Sequence, residues 1–402
     1  MTRPPQKIVI VGGGIIGLAA GLRATERWPG SSITILEKEV AVGQHQSGHN
    51  SGVLHAGLYY QPGSLKARLA VHGIRRMIAF CQEHEVKHEI CGKLVVAVTE
   101  DEVPRLKELY ERGTANGLSG LRWCGPEQIR EREPHVRGVA AVEVPEEGIV
   151  DYPAVCRAMQ AKIKANGGEV RTASGLQALR RDGDLWHCQT VKEDLEADYL
   201  INCAGLQCDR VMALTGETPA TRIIPFRGEY FKLRPEAQKL VRHLIYPVPD
   251  PKFPFLGVHY TRMIHGGIEC GPNAVLALER EGYSWSDFSL RDTFDSLRFP
   301  GLWKFLAKYP GMSWYEVKRS LSRAEFTRSL QRLVPEVQEQ DLLPGGSGVR
   351  AQAMAPDGTL LQDFAIELRP GALHLLNAPS PGATASLAIA DHLLDQIKAD
   401  GR

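Results

Sequence analysis

The chain lacks a surplus of charge of either sign: 48 Lys and Arg face 47 Asp and Glu, and the signs are mixed along all 402 residues. No basic face or tail is legible, which removes the electrostatic footprint of nucleic-acid binding. No apolar run approaches the ~20 residues that a spanning helix needs. The eight cysteines form neither a C-x-x-C pair nor a Cys/His cluster at zinc spacing. A disulfide framework and a structural zinc site are therefore excluded, the cysteines read as reduced thiols, and no metal is expected. Repeats of fixed period and low-complexity segments are also missing. Only residues 1–6 precede the first apolar run, leaving no room for a signal or transit peptide. The expected location is cytoplasmic, with peripheral contact at the inner face of the cell membrane left open. What is present, 43% hydrophobic and 24% charged residues over a two-domain length, suits a soluble globular protein with a sizeable core.

Strand and helix patterns alternate. Residues 7–11 are a β-branched apolar run, followed by a glycine turn, an apolar helix over 15–25 and a second strand over 32–36. This is a βαβ unit. Residues 198–203 repeat the strand pattern and stop at Ala204-Gly205; residues 373–377 do so again, ahead of an apolar helix running to about Ile397. Between these lie alternating runs near 88–98 and 220–275, and a helical stretch over 285–335 with aromatic and basic residues interleaved. The pattern predicts an α/β chain: a discontinuous Rossmann-like nucleotide-binding domain (residues 1–85, 145–215 and 340–402) with a mixed-sheet α+β substrate domain inserted (86–144 and 216–339).

Gly12-x-Gly14-x-x-Gly17 follows the first strand directly and opens the helix. Gly12 permits a tight turn, Gly14 lets backbone approach a pyrophosphate, and Gly17 lets helix and strand pack closely. The helix N-terminus then offers N–H groups to the anion. Glu37, 20 residues after Gly17, ends the second strand where a carboxylate reaches the ribose hydroxyls, with Lys38 beside it. That carboxylate argues against a 2′-phosphate and so against NADP. No second such turn opens a helix; Gly345-Gly346-Ser347-Gly348 reads as a plain turn. With one nucleotide site, either NAD is the sole cofactor or a flavin is reduced directly by the substrate.

The segment over 46–69 (QSGHNSGVLHAGLYYQPGSLKARL) resembles the L-2-hydroxyglutarate oxidase/dehydrogenase family, within the wider D-amino-acid-oxidase and glycerol-3-phosphate-dehydrogenase group of flavoproteins. PFRGEYF at 225–231, VHYTR at 258–262, GPNAVLALEREGY at 271–283, GVRAQAMAPD at 348–357 and NAPSPGATA at 377–385 agree. The resemblance implies FAD laid across the nucleotide domain, its ring at the junction with the insertion. It implies oxidation of L-2-hydroxyglutarate to 2-oxoglutarate, with electrons passed on to oxygen or a membrane quinone pool. Animal members are expected to carry a mitochondrial presequence; none is legible here, which reads as a bacterial-type chain. An amine or amino-acid oxidase of the same fold (glycine- or sarcosine-like) and a glycerol-3-phosphate-type dehydrogenase remain the alternatives.

By the same resemblance, Ser47, His49, Asn50 and Ser51 run beside the flavin and its pyrophosphate. Leu176 meets the adenine through its main chain, and Ala204 and Gly205 lay backbone against the cofactor. Ser380, Gly382, Ala383 and Thr384 precede the final helix, whose N-terminal dipole faces the flavin's pyrimidine edge. Removing hydride from a hydroxyl-bearing carbon requires a base, and His55 is the first choice; covalent attachment of the flavin at His55 is a further alternative. Arg350, in a strand ahead of Pro356-Asp357-Gly358, is the expected clamp for the α-carboxylate. For the distal carboxylate, His259, Tyr260, Arg262, Arg227 and Tyr59 are candidates. Strand alternation keeps His259 on the opposite face from Tyr260 and Arg262.

Overall fold

The computed structural model describes residues 5–250 and 257–399. Three distant stretches of chain build a six-stranded sheet in the order Ala365–Arg369, Ala372–Asn377, Tyr199–Asn202, Lys7–Val11, Ser32–Leu36, Glu169–Arg171. All neighbours are parallel except the first pair. Strands buried on both faces read as continuous apolar runs, and KIVIV and SITIL each bury their last four residues. One face carries the helices Ile15–Arg27, Tyr152–Ala165, Ser386–Ala399 and Leu65–Glu83. The other is covered by an antiparallel three-stranded sheet over 176–197, whose Trp186, Cys188 and Ala197 pack on Val9, Val11 and Leu200.

The expected strand over 198–203 forms as Tyr199–Asn202, and the last helix starts at Ser386. The stretch over 285–335 is helical in four pieces, Leu290–Leu297, Pro300–Lys308, Pro310–Leu321 and Arg323–Gln331. Each piece begins beside a proline or a serine: prolines open the second and third, and Ser289 and Ser322 cap the first and fourth through their side chains.

A nine-stranded mixed sheet forms the second body, in which Arg222–Leu233 pairs with three other strands. Leu342–Met354 pairs with that strand along its whole length, from Arg222 opposite Met354 to Leu233 opposite Leu342. This register moves residues 342–354 into the substrate domain, so the boundary expected at residue 340 is corrected. The return to the six-stranded sheet comes only at Ala365–Arg369. We propose that the other boundaries fall where the sequence pattern sets them. The same pairing corrects the reading of residues 345–348, which lie inside the strand next to a register shift and do not form a free turn. A small sheet joins the two bodies: Gly148–Val150 pairs with both Val53–Leu54 and His88–Glu89.

Candidate active site

A cavity of about 1450 Å³ runs between the two bodies. At one end lies the glycine turn. Gly12 has φ +111°, and a side chain there would press on the Cys203 carbonyl. A Cβ on Gly17 would overlap the Gly12 carbonyl, so Gly17 serves the packing of helix on turn and is the one expected cofactor residue that does not line the cavity. Gly14 is the N-cap of Ile15–Arg27 and gives it no side-chain cap, and the first turn carries no acid. No charge of the helix's own first turn therefore opposes an anion at its N-terminal dipole.

Glu37 is buried, and burial raises its pKa against two N–H donors that stabilise the charged form. Those donors are Gly13 N and Glu39 N, each at 2.8 Å. Lys38 Nζ lies 2.5 Å from Glu39, 2.8 Å from Glu281 and 3.0 Å from His45 Nε2. Glu39, His45 and Glu281 have the spacing of metal ligands, but the Lys38 ammonium already sits against all three.

The loop after the second strand is held by its own side chains. Ser47 Oγ accepts the Ile15 N–H at 2.9 Å. Asn50 donates to the Gln46 and Ser47 carbonyls and accepts from Gly52 N–H. His49 stacks on Tyr283 with ring centroids 3.9 Å apart. These three, with Ser51, line the cavity. Leu176, Ala204 and Gly205 line it from the sheet side, Gly205 at φ +53° just past the strand end. Ser380, Gly382, Ala383 and Thr384 line it from the approach to the last helix. Thr384 Oγ1 is 2.7 Å from Tyr152 OH and accepts the His55 N–H at 3.2 Å, tying that approach to the loop.

His55, His259 and Arg350 line the same cavity at the other end. His259 is buried and stacks on Tyr246 at 3.8 Å; its Nδ1 is 3.0 Å from the Gly257 carbonyl, which assigns the proton to Nδ1. Burial brings its pKa down to about 3, outweighing that carbonyl, with His55, Lys93 and Arg350 adding like charge. Arg350 is half-buried, with Nη1 3.4 Å from the Asn273 carbonyl.

Three of the five candidates for the distal carboxylate are engaged elsewhere. Tyr260 donates to the Leu330 carbonyl inside the second core. Arg262 forms a two-bonded pair with Glu89 at 2.7 and 2.9 Å. Arg227 is buried under the Trp285 ring and paired with Glu229. Tyr59 does line the cavity, and its buried hydroxyl has no hydrogen-bond partner among the described residues.

Two residues that the sequence did not single out complete this end. Glu147 is fully buried, 3.6 Å from His55 Nδ1, ion-paired to Lys93, and accepts the Ala56 N–H at 3.1 Å. Lys93 Nζ lies between the rings of Tyr59 and Tyr246, 4.8 and 4.6 Å from their centroids.

Residues 7–396 match the family described as FAD dependent oxidoreductase. The chain belongs to that family. The residues of this FAD dependent oxidoreductase fit the cofactor: a turn closed to a Cβ at Gly12 and Gly17, a helix N-terminus with no acid in its first turn and a buried acid stand together at one end of a cavity large enough for a dinucleotide. Over 384 residues the chain is 46% identical to L-2-hydroxyglutarate dehydrogenase of Indibacter alkaliphilus, covering 95% of this chain and 96% of that protein. The enzyme of the same name from Escherichia coli K12 is 43% identical, covering 97% and 92%. The human mitochondrial one is 43% identical, covering 97% and 88%. Among solved structures, the FAD-bound L-alpha-glycerophosphate oxidase of Mycoplasma pneumoniae superposes with a TM-score of 0.79 at 20% identity, covering 98% of this chain and 94% of that one. Glycine oxidase of Geobacillus kaustophilus gives 0.73 at 18% identity, covering 99% and 95%. At such identities these two speak for the fold alone.

Proposed function

We infer that this FAD dependent oxidoreductase oxidises L-2-hydroxyglutarate to 2-oxoglutarate. The observation that carries the reading is the charge of the cavity's inner end. Arg350 faces it, His259 is held neutral, and the buried carboxylate of Glu147 beside His55 is covered by Lys93. Such a lining suits a dianionic hydroxy acid. The names of the relatives point to the same substrate.

Bound FAD supplies the two-electron acceptor for the hydrogen on the substrate's C2. The glycine turn, Glu37, the loop over 47–51 and the approach to the last helix would hold it. Arg350 holds the α-carboxylate with its planar fork and fixes C2. His55 takes the hydroxyl proton. His259 is too weak a base at a pKa near 3 to do so at neutral pH, and serves as a neutral wall stacked on Tyr246. Tyr59, whose hydroxyl is free to donate, binds the distal carboxylate. Turnover with L-2-hydroxyglutarate and an artificial acceptor should release one 2-oxoglutarate per two electrons. Acceptor reduction without 2-oxoglutarate would reject the reading.

For reoxidation we propose a membrane quinone in preference to oxygen. Among the described residues no helix is long and apolar enough to cross a membrane. The helices over 290–331 do leave Leu290, Phe294, Trp303, Trp314 and Leu321 exposed, with Lys304, Lys308 and Lys318 exposed on the same segment. Apolar and cationic side chains together suit an anionic lipid surface. Co-sedimentation with phosphatidylglycerol vesicles, lost in a Trp303→Ser/Trp314→Ser variant, is the expected result; no binding at low salt would count against membrane contact.

A further inference from the structure

Glu147 sits where the two bodies meet. It immediately precedes Gly148–Val150, the strand that pairs with Val53–Leu54 and so lies alongside the start of the His55 loop. Its Oε1 accepts the N–H of Ala56, the residue after His55, and its Oε2 faces His55 Nδ1 at 3.6 Å. From the large sheet, Lys93 pairs with the same Oε2, and both side chains are essentially without solvent. Backbone reinforces the arrangement: Gly92, just before Lys93, donates its N–H to the Glu147 carbonyl at 2.8 Å. One carboxylate therefore holds the loop backbone and a buried ammonium, and stands within ion-pair range of the imidazole.

We infer that Glu147 is a positioning residue for His55, and that Lys93 sets the strength of that action. The inference rests on the reading of His55 as the base. A carboxylate at Nδ1 fixes the proton there and leaves Nε2 bare. When the substrate O–H bond breaks, an Nε2–H bond forms and the imidazole becomes a cation facing Glu147; solvent later removes that proton. An unpaired buried carboxylate would favour the imidazolium over the neutral imidazole that the base step needs. The Lys93 ammonium cancels most of that charge. The other titratable groups around the pair have little charge to offer. His259 is neutral, and Tyr59, Tyr60, Tyr152 and Tyr246 are all held above the ordinary tyrosine range, chiefly by burial. Arg350, on the far wall, acts on His259 as a like charge.

The test uses the FAD-loaded protein labelled with ¹⁵N-histidine, the His55 signals being assigned with His55→Gln. Wild type should show the Nδ1–H tautomer. In Glu147→Leu/Lys93→Met, which removes both charges and leaves apolar side chains of similar size, that preference should be lost. In Lys93→Met alone the carboxylate loses its counter-charge, and the acid limb of flavin reduction should move to higher pH. If the double variant folds and keeps the Nδ1–H tautomer, the inference is overturned. Should the double variant fail to fold, Glu147→Gln decides. It keeps an acceptor but no charge, so the limb should move down, and an unmoved limb refutes the role. A wild-type protein whose flavin L-2-hydroxyglutarate does not reduce would instead defeat the functional reading, while the tautomer result would still judge Glu147.

Discussion

Ser47 Oγ accepts the backbone N–H of Ile15 at 2.9 Å, so the loop after the second strand is fastened to the N-terminus of the first helix. Gly14 supplies no side-chain cap there, and Ser47 takes its place from 32 residues away. Losing such a cap costs about 1 kcal/mol. Ser47→Ala should lower stability by about that amount and weaken FAD binding several-fold. Flavin fluorescence on dilution checks the second effect; unchanged release would show that the loop is held without Ser47.

Arg350→Met should raise KM for L-2-hydroxyglutarate on the order of 100-fold, roughly 3 kcal/mol for two charge-assisted hydrogen bonds. Arg350→Lys, which keeps the charge without the fork, should recover only part of it. Steady-state kinetics with a saturating acceptor measures both. A KM within a factor of two of wild type would remove Arg350 from the substrate site.

Tyr59→Phe isolates the distal carboxylate. One hydrogen bond to a charged group corresponds to roughly 10- to 100-fold in affinity, and only a diacid makes it. The variant should lose that factor with L-2-hydroxyglutarate and almost nothing with L-2-hydroxybutyrate. Equal losses with both would place Tyr59 elsewhere.

His374 governs part of the acid stability. It is fully buried in the strand Ala372–Asn377, its Nδ1 accepting from Asn202 Nδ2 at 3.1 Å, and burial brings its pKa down from 6.5 to about 4. The unfolded chain therefore binds a proton below pH 6.5 that the folded protein refuses until about pH 4. Stability is lost as pH falls through this window, by about 3 kcal/mol in all for a shift of this size. Urea unfolding of His374→Gln against wild type at pH 7 and pH 4.5 should show the variant losing less stability on acidification. Parallel losses would contradict the assignment.

The nucleotide end was legible because its signals are local: a β-branched run, three glycines and an acid within 31 residues of chain. All the expected cofactor residues but Gly17 line one cavity. Lys93 and Glu147 were not legible. A lysine opening a strand and a glutamate in a turn read as solvated charges, and only the folded pairing brings them together in the interior. The strand at Arg350 was legible, but its first half, over 342–348, was missed for a related reason. Its Pro and Gly residues lack strand propensity, and the ladder of Arg222–Leu233 imposes the extended form on it. Arg227 and Arg262 looked like clamps because an arginine's partner is not written in its neighbourhood, here Glu229 and Glu89.

The central claim is that substrate reduces the flavin directly and that the substrate is L-2-hydroxyglutarate. Anaerobic mixing of the purified yellow protein with a panel of L-2-hydroxyglutarate, D-lactate, glycine and glycerol 3-phosphate, followed at the flavin absorbance band, tests it most directly. The account predicts rapid bleaching by L-2-hydroxyglutarate and none by glycine or glycerol 3-phosphate. Bleaching by one of the other three, with L-2-hydroxyglutarate inert, would contradict it.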